Sequence, residues 1–235
     1  MKIKVGMKGA GMKNFRMSGW VLPMMVMALV AFPLHSSHAV AVLELTDGST
    51  TVSVTDGGVG DSNPLAGAIT YSGSFGNWIA NVATGFTKPL FPSDKPHLDL
   101  NSVNLSSGGS SASTLTITFS DTGFVPGSNW NGFDSLIGGT TSGTVNFLSD
   151  FNDGSDQALA SLGFGSGAFS GSDYSGSTPT GTFSLREVVN IIHGAGIQST
   201  SFNAEVFAAP ETGALFLFGS GLIGLVGYRR VRRMQ

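Results

Sequence analysis

Ser113–Ser120 reads STLTITFS, and its period decides the fold class. Leu115, Ile117 and Phe119 alternate with Thr116 and Thr118, which is the spacing of a strand with one face on a core and one in water. The same alternation recurs in FNAEV, where Phe202, Ala204 and Val206 oppose Asn203 and Glu205. Working outward, the spacing predicts further strands at Val42–Thr46, Thr51–Thr55, Ala68–Ser74, Trp78–Ala83, Leu98–Leu105 and Thr144–Leu148. Asp47-Gly48, Asp56-Gly57-Gly58, Asp121-Thr122-Gly123 and Asp153-Gly154 lie between them as turn formers. Phe183–His193 (FSLREVVNIIH) follows no strict alternation. It is expected to be a long strand with an irregularity near Arg186-Glu187, a short helix being the alternative. Leu162–Gly181, crowded with Gly and Ser, is expected to be an exposed loop. Many short strands joined by Gly-rich turns predict an all-β antiparallel β-sandwich over residues 42–208.

The two ends of the chain have a different character. Lys2, Lys4, Lys8, Lys13 and Arg16 precede an apolar run from Trp20 to Leu34, and Ser37-His38-Ala39 or Ala39-Val40-Ala41 offers small residues for cleavage. Residues 1–41 therefore read as a signal peptide cut by signal peptidase after Ala39 or Ala41. At the other end, 209–235 runs from the polar Pro210-Glu211-Thr212 through an uncharged segment, Gly213 to Tyr228, to Arg229, Arg230, Arg232 and Arg233. Its length falls just under the usual ~17–25 residues of a membrane span, and the arginines should hold the cytoplasmic side. Gly219, Gly221, Gly224 and Gly227 would each cost a helix in water roughly 1 kcal/mol, whereas a transmembrane helix tolerates them.

This tail resembles the PEP-CTERM sorting signal of Gram-negative surface proteins. Gly219-Ser220-Gly221-Leu222-Ile223-Gly224-Leu225 matches the apolar pattern of that family, and Arg229-Arg230 matches its stop. Thr212 stands where the family has its second proline. The resemblance implies an exosortase-like membrane protease as partner, a transient stay in the inner membrane, and delivery to the cell surface or an extracellular polysaccharide (biofilm) matrix. Pro210-Glu211-Thr212-Gly213 also supplies four of the five positions of the Leu-Pro-x-Thr-Gly sortase signal, with Ala209 in place of Leu. Sortase signals usually keep a polar spacer before the apolar run, and none is present here.

Charge and sulfur narrow the functions open to the middle of the chain. Residues 42–209 carry Lys88, Lys95 and Arg186 against fourteen acids, a net charge of −11. Such a surface repels nucleic acid and anionic lipid headgroups, and both are excluded as partners of this region. The chain has no cysteine, so thiolate metal sites, disulfides and cysteine nucleophiles are excluded as well.

Candidate chemistry is sparse. Asp150, Asn152, Asp153 and Asp156 (in DFNDGSD) form the densest cluster of oxygen donors and could hold calcium, but their spacing is not that of an EF-hand, and Asp and Asn bonding their own backbone is the plainer expectation. Gly57-Gly58-Val59-Gly60-Asp61 reads as a loop. His97 and His193 are the only histidines after the signal peptide, and His193 is expected at a strand end. Glu44, Glu187 and Glu205 read as ordinary strand residues. With no nucleophile elbow, zinc-binding helix or P-loop, the chain is expected not to be an enzyme. The other function open to it is saccharide binding: Trp130, with Trp78 and Tyr71 and beside Asn129, Asn131 and Asp134, could stack on a sugar, although Trp78 sits in a strand-like setting typical of core.

Overall fold

The computed structural model describes residues 40–211. The expected signal peptide up to Ala39, the residues from Thr212 onward, the expected transmembrane helix and the four tail arginines lie outside the described residues. Within them there are twelve strands and no helix. One six-stranded antiparallel sheet contains β2 (Thr51–Thr55), β1 (Val42–Thr46), β6 (Ser113–Phe124), β11 (Phe183–His193), β8 (Thr144–Asn152) and β9 (Asp156–Phe164), in that spatial order. The other contains β10 (Gly167–Ser175), β7 (Trp130–Thr141), β12 (Gln198–Pro210), β5 (His97–Ser107), β4 (Trp78–Phe86) and β3 (Ala68–Phe75).

Alternation along each strand sends one set of side chains between the sheets. In β6 Leu115, Ile117 and Phe119 are fully buried while Thr116 and Thr118 are half-exposed. They join Leu185, Val189 and Ile191 of β11, Leu98 and Leu100 of β5, and Val206 of β12 in one apolar core. Each such side chain taken fully from water contributes about 1.5–3 kcal/mol. That burial must hold the fold without disulfides. Gly85 of β4 keeps the layers close, since a Cβ there would lie 2.6 Å from the Phe119 ring.

The registers sort the connections into two ends. At one lie only short turns: residues 47–50, 76–77, 108–112, 142–143, 165–166 and 194–197. At the other lie the longer loops 56–67, 87–96, 125–129 and 176–182, together with the short turn 153–155. Val42 pairs with Ser120 and Pro210 with Trp130, so the described chain also enters and leaves at this second end.

Three expectations require correction. Of residues 162–181 only 176–181 are a long loop: β9 ends at Phe164, and Gly167–Ser175 forms β10, paired with β7 from Thr141 to Phe133. Few of its side chains are apolar, but Phe164 stacks on Phe169 at 4.9 Å, and the ladder supplies the rest. Asp121-Thr122-Gly123 is not a turn either. β6 runs through it, with Gly123 at φ 76°. The three-residue step from Asp121 to Phe124 faces the two-residue step from Leu185 to Phe183, the signature of a β-bulge. The irregularity expected near Arg186-Glu187 is not there: β11 alternates without a break, and the extra residue lies in β6, opposite Ser184. β7, unread in the sequence behind Gly132, Gly138 and Gly139, is a full central strand.

Candidate functional site

A concavity at the loop end is built around Trp130, the first residue of β7. Its indole is 7% exposed, and its Nε1–H donates to the Asp94 carbonyl at 3.1 Å. The ring is therefore a wall between loop 87–96 and β7, and its faces are not free to stack on a sugar. It helps line a cavity of about 270 Å³ that reaches Lys95, His97, Asn129, Phe207 and Pro210. His97 opens β5 and lies between two aromatics, stacked on Phe91 at 4.2 Å and tilted against Phe207 at 5.5 Å. Its Nε2 is 3.3 Å from Glu205 Oε2. Asn129 and Lys95 are exposed at the mouth, so an apolar floor is rimmed by amide and ammonium groups.

Beside this cavity, the outer face of β5 and β12 sets Asp99 directly across from Glu205. Burial raises the Asp99 carboxyl above the ordinary carboxylate range; His97 opposes the shift and Glu205 adds to it. On the inner face, Glu187 of β11 is fully buried and neither carboxylate oxygen has a hydrogen-bond partner. Burial pushes it well above its ordinary value of 4.5, the charges of Asp99 and Glu205 push the same way, and the nearby Val206 amide opposes without completing a bond. Glu187 is therefore held as the neutral acid, a state that strand alternation alone could not reveal.

The other expected site residues are dispersed. Trp78 is core, 1% exposed at the turn end, and lies 4.6 Å from the His193 ring. Tyr71 is half-buried against the core. Asn131 accepts from the Tyr174 hydroxyl, which is 3.1 Å from its carbonyl. The two tryptophans thus belong to opposite ends and form no common platform. His193 closes β11 as expected, with Nδ1 2.6 Å from Ser107 Oγ and Nε2 2.7 Å from Thr200 Oγ1. Burial lowers its pKa, which keeps the ring neutral.

The four oxygen donors of DFNDGSD engage protein groups. Asp150 takes a forked pair of bonds from Arg186, with Nη2 at 2.9 Å. Asn152 accepts from the Gly154 N–H and donates to Asp156 at 2.6 Å. Asp153 accepts from the Thr180 N–H and hydroxyl, which lowers its pKa. Turn chemistry and one ion pair account for the cluster, and among the described residues no group of three or more His, Cys, Asp or Glu is placed to hold a metal.

A second buried pair went unread in the sequence. Lys88 Nζ lies 2.8 Å from both Asp121 oxygens, 4.9 Å above the Phe124 ring, and Thr87 Oγ1 donates to the same carboxylate at 2.9 Å. Burial raises the Asp121 pKa even so, with Lys88 opposing. Gly67 fits tightly against this loop at φ +83°, where a Cβ would meet the Lys88 carbonyl at 2.7 Å.

No protein-family model matches the chain, and no curated protein sequence does. Among solved structures it is similar to TmCBM61, solved in complex with β-1,4-galactotriose, at 10% identity over 58% of this chain and 91% of that one, TM-score 0.34. It is also similar to the enzymatically active domain of bacteriophage CBA120 tailspike protein 4, at 13% identity over 69% of this chain but only 19% of that one, TM-score 0.31. A CBM4 structure gives 11% identity over 42% of this chain and 83% of that one, TM-score 0.22. Scores at this level carry no argument about ligand or activity.

Proposed function

We propose that the chain is an exported protein of the cell surface or extracellular matrix, processed at Pro210-Glu211-Thr212 by an exosortase-like membrane protease. Its sandwich serves as a structural, exopolysaccharide-associated component with no reaction of its own. The observation that supports this most is where the sheet stops. β12 ends at Pro210, Ala209 is its last buried residue, and the Glu211 N–H donates to the Asn129 carbonyl at 3.3 Å. The buried residues among those described thus all precede the signal's second residue. At the other terminus Ala41 is 2% exposed and its carbonyl accepts from Asp56, which favours cleavage after Ala39 over cleavage after Ala41. Pulse-labelling of Thr212→Pro tests the identity of the protease. Conversion to the shortened form should accelerate; a sortase would lose its substrate on the same change, and that result would move the chain to the wall-anchored class.

A second reading, saccharide binding, is favoured by the cavity floored by Phe207 and Trp130. Here Phe207→Ala should abolish retention on an extracellular polysaccharide column while Trp78→Phe leaves it unchanged. Equal retention of both variants, or none by the parent, removes this reading.

A further inference from the structure

We propose that the loop end of the sandwich is a bilayer-docking face: in the anchored precursor, loops 87–96 and 125–129 rest on the lipid headgroups around the point where the tail enters the membrane. This rests on the reading of Gly213–Tyr228 as a membrane span.

Chain length imposes the geometry. Glu211 is still bonded to the Asn129 carbonyl, and the apolar run begins at Gly213. Two residues reach at most about 7 Å. A headgroup layer is about 5–8 Å deep on each side of the hydrocarbon. No linker remains to hold the sandwich away, so whatever surrounds Pro210 must meet the headgroups.

The surface found there is suited to such contact. Leu90 (44% exposed) and Val125 (38%) project beside the exposed Pro89, Pro92 and Pro126. The two loops are locked to each other and to β12. The Val125 N–H donates to the Ser93 carbonyl at 3.1 Å, and the Ala208 N–H donates to the Pro96 carbonyl at 2.9 Å. Leu65 (56% exposed) flanks them from loop 56–67, which the Thr87 N–H ties to Gly67. Two of the three cations in the described residues, Lys88 and Lys95, also lie on loop 87–96.

Charge decides the kind of contact. Lys88 is neutralised by Asp121, and Asp56 and Asp61 accept from main-chain N–H groups, Asp56 from Gly67 and Asp61 from Gly57, Asn63 and Thr70 of β3. Exposed Asp94 and Glu211 remain against Lys95. Main-chain bonds leave the Asp56 and Asp61 carboxylates charged, so the rim is net negative and gains nothing from anionic lipid. Shallow insertion of apolar side chains is the contribution left, and zwitterionic lipid should serve. The processing signal would thereby be presented at headgroup level with its first residue still paired to β7.

The absence of cysteine makes the test clean. The full chain is prepared as Leu90→Cys, Val125→Cys or Ile197→Cys, labelled with an environment-sensitive fluorophore and reconstituted into phosphatidylcholine vesicles. Ile197 is 94% exposed on the opposite end and serves as an equally apolar control. Labels at 90 and 125 should shift to the blue and become several-fold less accessible to aqueous iodide, while the label at 197 stays open. If the chain floats with vesicles after an alkaline wash but the label at 90 is quenched as readily as that at 197, docking is overturned and the membrane tail survives. If the chain does not float at all, the tail reading fails and the docking face fails with it.

Discussion

The two ends of this sandwich solve different problems with the same strands. At the turn end six short reversals close the sheets, and the polar groups there are spent internally: His193 bridges Ser107 and Thr200 between the layers, beside buried Trp78. At the loop end the chain enters, leaves and makes its long excursions, yet those loops are held by a buried ion pair and by main-chain bonds to β12. Loop length here does not mean slackness. The end at which the described chain enters and leaves is the one that holds a buried ion pair, and the other is fixed by hydrogen bonds between neutral groups.

Substitutions can break this contrast. The largest effect is expected at the loop end, where Lys88→Met leaves the Asp121 carboxylate buried without its counter-charge. Loss of about 3 kcal/mol in urea unfolding is expected, with partial recovery when Asp121→Asn is added. A loss under about 0.5 kcal/mol would show that the pair does not fix the loop.

Between the ends, Glu187→Leu should stabilise the domain by about 1–3 kcal/mol at neutral pH, because a buried acid without partners is replaced by packing. Its pH dependence has a definite sign. The folded state keeps this proton to higher pH than the unfolded state, so stability is greatest below 4.5 and falls as pH rises through the raised folded value. Glu187→Leu should flatten that decline, and parallel pH curves for parent and variant would contradict it.

At the turn end His193→Leu should cost about 1–2 kcal/mol for the two lost bonds. Because burial lowers the folded pKa, the parent's His193 contribution is complete above 6.5 and is lost as pH falls below it, opposite in sign to Glu187. The stability difference between parent and His193→Leu should shrink on acidification. The smallest effect belongs to Ile197→Ser, expected to stay within about 0.5 kcal/mol because the side chain touches nothing buried.

Much of the architecture was legible because alternation is a local signal. Leu115, Ile117 and Phe119 revealed their strand, and Val42–Thr46 and Thr51–Thr55 end where the spacing placed them. β7 and β10 were hidden for one reason: glycine and serine carry no periodic apolar signal, and their membership in the sheet is decided by neighbouring strands. Turn chemistry misled at Asp121, whose carboxylate answers to Lys88, 33 residues away in sequence. The site was less legible than the fold. Trp130 was singled out for its polar neighbours, but the loop carrying Asp94 covers its ring, and the cavity it borders depends on His97 and Phe207 from distant strands. Glu187 shares the phase of Leu185, Val189 and Ile191, so the alternation of β11 turns it inward, and its acidic side chain masked that phase in the sequence.

Intact mass of the protein recovered from the cell surface or medium tests the central proposition most directly. A chain beginning at residue 40 and ending at 211 or 212 is expected, with the whole described sandwich retained and both hydrophobic ends removed. A full-length polypeptide that still carries Leu215–Arg233, or one recovered only from the cytosol, would contradict it.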